Sequence, residues 1–275
     1  LPNAPTDHLL AVLTNHVHDF ISNPALHNGI ILWQSPGKEL TVKAIPESLF
    51  TELREEPFSC HGAFRRISLS KPITPAVFEN RRLTTITPDP DIEALVSQVS
   101  KANLQSGVNS LVAFGTRRHY QPGEVKAQNW IRQELETLGC QTSLFDYDSG
   151  ADVVIGDLPG VTQPDKIVII GGHYDSINYA TTTGNAPGAD DDASGVSAVL
   201  EIARLLAGNS FDYTLRFCAW SGEELGLLGS EAYASYLASQ GADIVGMIQL
   251  DMIAYRANGD SRSVDFVLND TTPSL

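Results

Sequence analysis

The sequence predicts an α/β fold, a mostly parallel (mixed) sheet with helices on both faces, preceded by a small α+β unit. Three observations carry this. Beyond residue 90, nearly continuous apolar runs alternate with stretches of helical periodicity. Those runs have no wet face of their own, so helices must cover both sides of the sheet they form. The first 80 residues read differently and are set apart by "ENRRLTTITPDPDIEAL", with a dibasic pair, a threonine-rich stretch and two prolines. The predicted units are residues 1–82 and 83–275.

In the first unit the pattern predicts a helix near Asp7 to Ile21, strands at "GIILWQ" and "ELTVKAI", a helix from Pro46 to Glu55 and a strand at "AFRRISLS". In the second, helices are expected over Ile92 to Val112 and Glu124 to Leu138. The latter should bury Val125, Trp130, Ile131, Leu135 and Leu138 and stop at Gly139. Strands follow at "ADVVIGDL", "KIVIIGG", "YTLRFCAW", "DIVGMIQLDM" and "SVDFVLND", with helices between at Ser194 to Leu206 and Leu227 to Ser239.

Composition narrows the partners. A chain of 275 residues with 42% hydrophobic and 19% charged residues is globular. Its net charge of -15 argues against nucleic acid or an anionic membrane surface, both of which repel it. No apolar run approaches the roughly 20 residues of a membrane helix. The N-terminus lacks the basic flank and apolar centre of a signal peptide, so a secreted protein would already have lost its signal. The sequon Asn269-Asp270-Thr271 is compatible with secretion. Cys60, Cys140 and Cys218 are odd in number and far apart, which excludes a disulfide framework or a zinc cluster. Five of the seven histidines fall in the first unit without metal-site spacing and read as structural or exposed.

The chemistry-bearing residues sit after strands. In open α/β sheets functional groups gather beyond the carboxyl ends. There "GGHYDS" supplies His173 and Asp175, "APGADDDASG" supplies Asp190, "AWSGEELG" supplies Glu223 and Glu224, and "IQLDM" supplies Asp251. Carboxylates so crowded cannot all ionise, and these motifs hold no lysine or arginine. A divalent cation resolves the repulsion. Imidazole nitrogen with carboxylate oxygen suits zinc, with cobalt and manganese open on ligand type. One aspartate of the triple run would then bridge two cations, and the His-x-Asp spacing lets Asp175 fix the tautomer of His173.

These motifs resemble the secreted zinc aminopeptidases with two co-catalytic metals, of the bacterial and fungal leucyl aminopeptidase type. "GTRRHYQPGEVKAQNWI" adds weaker support, and the resemblance spans about residues 90–268. It implies a zinc-peptidase/phosphorylase-like fold and two Zn2+ ions, bridged by Asp190. His173 and Asp251 complete one metal's set and Glu224 binds the other. Glu223 is implied as general base, with Asp175 orienting His173, and a cis peptide is implied between Asp190 and Asp191. The substrate would be a peptide with a free N-terminus, with leucine-like preference carried by the resemblance alone. The first unit resembles a propeptide, making Arg81-Arg82 either a processing site or an ordinary surface pair.

The resemblance is incomplete at the C-terminus. Members of the family continue for roughly 100 residues more, on domain length, and that stretch holds the last zinc ligand, a histidine. His119 is not placed to replace it by the family pattern, so the catalytic unit reads as truncated. Three readings follow. The first is an aminopeptidase zymogen seen in part; the second is another reaction on the scaffold, such as a carboxypeptidase or glutaminyl cyclase. The third is a catalytically incomplete regulatory chain, against which the retained Glu223 argues.

Overall fold

The computed structural model describes residues 8–14, 30–34, 40–46, 64–67, 89–178 and 184–256, the first four segments as backbone strands only. The chain forms two compact units, Leu1–Ala94 and Leu95–Leu275. The boundary expected at residue 82 lies outside the described residues, as do residues 47–55 of the helix expected from Pro46 to Glu55 and the strand at "SVDFVLND"; Pro46 itself ends a strand.

The first unit contains an antiparallel sheet of order β2-β3-β1-β4, built from β1 (His8–Thr14), β2 (Ile30–Gln34), β3 (Leu40–Pro46) and β4 (Phe64–Ile67). The helix expected from Asp7 is a strand over its described part. The run "HLLAVLT" is short and apolar throughout, a pattern that fits either state. Pairing decides it, since β1 is hydrogen-bonded to β3 on one side and β4 on the other.

The helix expected over 92–112 is two, α1 (Pro90–Val96), which contains the unit boundary, and α2 (Lys101–Ala113) in the second unit. The break is local. Ser100 has an extended backbone, and its side chain caps α2 by accepting from the Asn103 N–H at 3.2 Å. Next comes α3 (Pro122–Thr137), which starts on a proline and ends before Gly139 at φ +89°. It buries Ala127, Ile131 and Leu135, while Trp130 and Leu138 are half-buried. Val125 is exposed, contrary to expectation, because Glu124 and Gln128 take the inward face.

Five strands follow: β5 (Gln141–Phe145), β6 (Val153–Leu158), β7 (Gln163–His173), β8 (Tyr213–Trp220) and β9 (Asp243–Gln249). Helices α4 (Ala193–Leu206) and α5 (Leu228–Ser239) connect the later ones. The order is β5-β6-β8-β7-β9. Pairing is parallel for β7 with β8 and β9, and antiparallel for β6 with β5 and β8, so the sheet is mixed. Its antiparallel edge, β5, carried too mixed a sequence to stand out.

Strand alternation builds two cores. Val154, Ile170, Phe217 and Ala219 pack with Leu111, Ile131, Leu135, Val196 and Val199 of α2, α3 and α4. Val153, Ile155, Ile167, Ile169, Cys218 and Trp220 face the other way, onto Tyr233 and Leu237 of α5. Helices on both faces are what the apolar strands required. Each fully buried large apolar side chain here stabilises the unit by about 1.5–3 kcal/mol. Among the described residues no helix is long and apolar enough to cross a membrane.

Candidate metal centre

Register aligns the strand ends that carry the chemistry. His173, the last residue of β7, is level with Trp220 of β8, and Gly171 is level with Gln249 of β9. The chain therefore leaves three neighbouring strands side by side, delivering His173 and Asp175, Glu223 and Glu224, and Asp251 to one edge. The Glu223–Leu225 stretch is a 3-10 turn entered through Gly222 at φ +64°. A side chain there would press on the Tyr147 hydroxyl and the His119 ring, so glycine is required twice over. Asp175 pins the turn, its two oxygens accepting from the Glu223 and Glu224 N–H groups at 3.0 and 3.1 Å.

The three consecutive aspartates do three different jobs. Asp192 caps α4 by accepting from the Gly195 N–H at 2.7 Å, and also accepts from His173 N and Met252 N. It thereby ties the end of β7, the start of α4 and the segment after β9 to one carboxylate. Burial pushes its pKa well up, partly opposed by His173. Gly195 allows this approach, since a side chain there would collide with the Leu250 carbonyl. Asp190 accepts from the Ala254 and Tyr255 N–H groups at 2.8 and 2.9 Å, and from Ser194. Asp191 turns to the His173 ring, with Oδ1 at 3.0 Å from Nε2.

Of the run, the carboxylate that faces the His173 ring is Asp191 and not Asp190, at which the bridge was expected. Capping explains the offset, because the residue that caps α4 and the residue that holds the 253–255 backbone are both spent, leaving the middle aspartate to face the histidine. The cis peptide is likewise one residue later than expected, between Asp191 and Asp192.

His173 is fully buried. Its Nδ1 lies 3.5 Å from Asp175, and its Nε2 lies 3.7 Å from Asp251 and 3.9 Å from Glu223. Among the described residues, neither ring nitrogen makes a hydrogen bond of sound geometry, nor does the buried Asp251 Oδ1. Buried polar atoms are otherwise paired in proteins, so lone pairs that converge without hydrogen bonds fit a cation. Two groups offer ligand atoms within 4.8 Å of one another: His173 with Asp191 and Asp251, and His173 with Glu223 and Glu224. Without a cation, burial works against the His173 imidazolium, yet Asp175, Asp191 and Asp251 overcome it and raise its pKa. A divalent cation can replace that proton.

Two buried side chains from residues 117–119 complete the surroundings. Arg117 is fully buried beside the acids, a countercharge absent from the motifs themselves. His119 is held by Glu124 at 2.8 Å and Asp148 at 3.1 Å. Burial disfavours its charged form, but Glu124 and Asp148 outweigh this and lift its pKa to about 9. Both ring nitrogens are engaged, so His119 belongs to the structural frame under the Glu223 turn. Nothing in the sequence marked Arg117 beyond its place in a weak motif, because the four acceptors it meets are main-chain carbonyls.

Residues 153–270 match the model of Peptidase family M28, the resemblance that the four motifs carried. Leucine aminopeptidase 1 of Paracoccidioides brasiliensis (strain Pb03) is 33% identical over 181 residues, covering 60% of this chain and 46% of that protein. A probable zinc metalloprotease of Pyrenophora tritici-repentis is 32% identical over 204 residues, covering 65% and 46%. The chain spans about half the length of these curated relatives. Among solved structures, LapB from Legionella pneumophila superposes with a TM-score of 0.59 at 22% identity, covering 92% of this chain and 72% of that one.

Proposed function

We propose, taking residues 153–270 as a Peptidase family M28 segment, that the protein is a zinc-dependent aminopeptidase that removes the N-terminal residue of peptides. The observation that carries this reading is His173, buried among Asp175, Asp191, Asp251, Glu223 and Glu224, whose Nε2 faces Asp191 and Asp251 and, among the described residues, makes no hydrogen bond of sound geometry. His173, Asp191 and Asp251 would hold one Zn2+, and Glu224 with Asp191 would hold a second. When bound, the cations supply Lewis acidity to the scissile carbonyl and acidify the attacking water.

The chain's own residues do the rest. Glu223 lies one residue from Glu224 in a turn pinned by Asp175, so its carboxylate is held at the ligand edge. There it takes a proton from the attacking water and returns it to the leaving amine. Asp175 faces Nδ1 of His173 and orients the ring, which leaves Nε2 directed at Asp191 and Asp251. The site edge is anionic and partly open, with the side chains of Asp191 and Asp251 27% and 22% exposed. That field attracts the α-ammonium group of a peptide. A leucine-like preference, secretion and a removable first unit belong to the same proposal, the first supported by the name of the Paracoccidioides relative.

Elemental analysis for zinc, run beside hydrolysis of a leucyl chromogenic amide, tests the reading. Zinc in the protein with release of the free amine is expected. Zinc-free protein that still cleaves the amide would defeat it, and turnover of N-terminal glutaminyl peptides without hydrolysis would move the reaction class to cyclisation.

A further inference from the structure

The Arg117 guanidinium is fully buried, and its four hydrogen bonds among the described residues end on main-chain carbonyls. Nε donates to Tyr174 O at 2.6 Å, Nη1 to Pro187 O at 2.6 Å and Leu111 O at 3.2 Å, and Nη2 to Gly188 O at 2.9 Å. Tyr174 follows His173 directly, and residues 187–188 lead into the aspartate run. One planar group thus spans the strand end that carries His173 and Asp175 and the loop that carries Asp191.

Its neighbours extend the clip. The Arg117 N–H donates to the Ser176 hydroxyl, which donates onward to Ala186 O at 2.7 Å. The Thr116 hydroxyl accepts from the Ala186 N–H and donates to Gly184 O. Gly188 O accepts from Ala193 N as well as from Arg117, linking the clip to the first turn of α4. Gly188 sits at φ +50°, and a side chain there would run into Ser176 and the guanidinium.

A buried charge bonded to neutral acceptors is costly unless opposite charge lies close. Asp175, Asp191, Asp192 and Glu224 are the charges that act on it. Burial lowers its pKa to about 10, so it remains cationic at neutral pH. Both the fork and the charge are therefore spent on the acid edge.

We propose that Arg117 is a positioning residue of the cation centre, holding the His173 strand end and the Asp191 loop in ligand geometry before any cation binds. This rests on the metal reading given above. A lysine keeps the charge but is a single point donor, unable to reach carbonyls on two sides of the fork. Outer partners of this kind change metal affinity by about 10–100-fold when removed.

The test compares wild-type protein with Arg117→Lys, and with Ser176→Ala as a milder break in the same clip. Zinc affinity is read by competition with a chromogenic chelator, and amide exchange of residues 184–195 is read in the metal-free protein. Arg117→Lys should lose roughly 10–100-fold in zinc affinity and exchange faster in that segment, with Ser176→Ala changing both in the same direction by less. Unchanged affinity and exchange in Arg117→Lys overturn the proposal. Faster exchange in Arg117→Lys than in a wild type that itself binds no zinc supports the clip and overturns the metal reading, so the two failures are distinct.

Discussion

Exchanging the roles of two adjacent aspartates is the sharpest test of the site. Asp190→Ala removes the acceptor of two main-chain N–H groups, at 2.8 and 2.9 Å on Ala254 and Tyr255. Hydrogen bonds to a charged group are worth about 1.5–3 kcal/mol each when buried. Ala254 and Tyr255 are exposed, so water replaces much of this and the net loss should be about 1–2 kcal/mol. For a unit of this size that lowers the melting midpoint by roughly 2–8 °C. Zinc content should stay near that of the wild type. Asp191→Ala removes a carboxylate 3.0 Å from His173 Nε2. Outer partners of a metal alter affinity by about 10–100-fold, so an inner ligand should cost at least about 100-fold, or ~3 kcal/mol. Its effect on the metal-free fold should be small. Zinc titration and thermal unfolding of both variants, each with and without chelator, separate the effects. If Asp190→Ala empties the site and Asp191→Ala keeps its zinc, the assignment of the bridge is wrong.

Three further outcomes are expected. Glu223→Gln should lower kcat by about 10²–10⁴-fold while zinc content holds, and a parallel loss of zinc would make Glu223 a ligand instead of the base. Gly195→Ala places a side chain against the Leu250 carbonyl and the Asp192 carboxylate; it should destabilise by about 1–3 kcal/mol and weaken zinc binding, and wild-type behaviour in both assays would show that this approach carries no constraint. His119 has a pKa of about 9 when folded against 6.5 when free. A raised folded pKa stabilises fully below 6.5 and is lost as pH rises through 9. The stability gap between wild type and His119→Asn should therefore shrink across that window, and a gap constant from pH 6 to pH 10 would exclude a charged His119.

Much of this site could be read along the chain. His173, Asp175, Glu223, Glu224 and Asp251 were placed by one rule, that acids at the carboxyl ends of apolar strands meet, and the register of β7 with β8 and β9 brings them together. The same periodicity gave α3, α4 and α5 to within a residue or two. Asp191 was one step out of reach. Three identical side chains in a row differ only in which partner each meets, and those partners are Gly195, His173 and Ala254 with Tyr255, spread over some 80 residues. β1 failed as a helix for a related reason, since its state is set by two strands more than 20 residues away.

What the sequence determined by itself was which histidine and which acids gather, and at which sheet edge, because residue type fixes the donor atoms on offer and local periodicity fixes strand ends. What only the tertiary structure decided was which aspartate faces His173, that Arg117 lies beneath the acids, and that His119 is locked by Glu124 and Asp148. Those are matters of direction and main-chain hydrogen bonding between distant segments. A carbonyl acceptor leaves no mark on residue identity, so no reading along the chain could have found it.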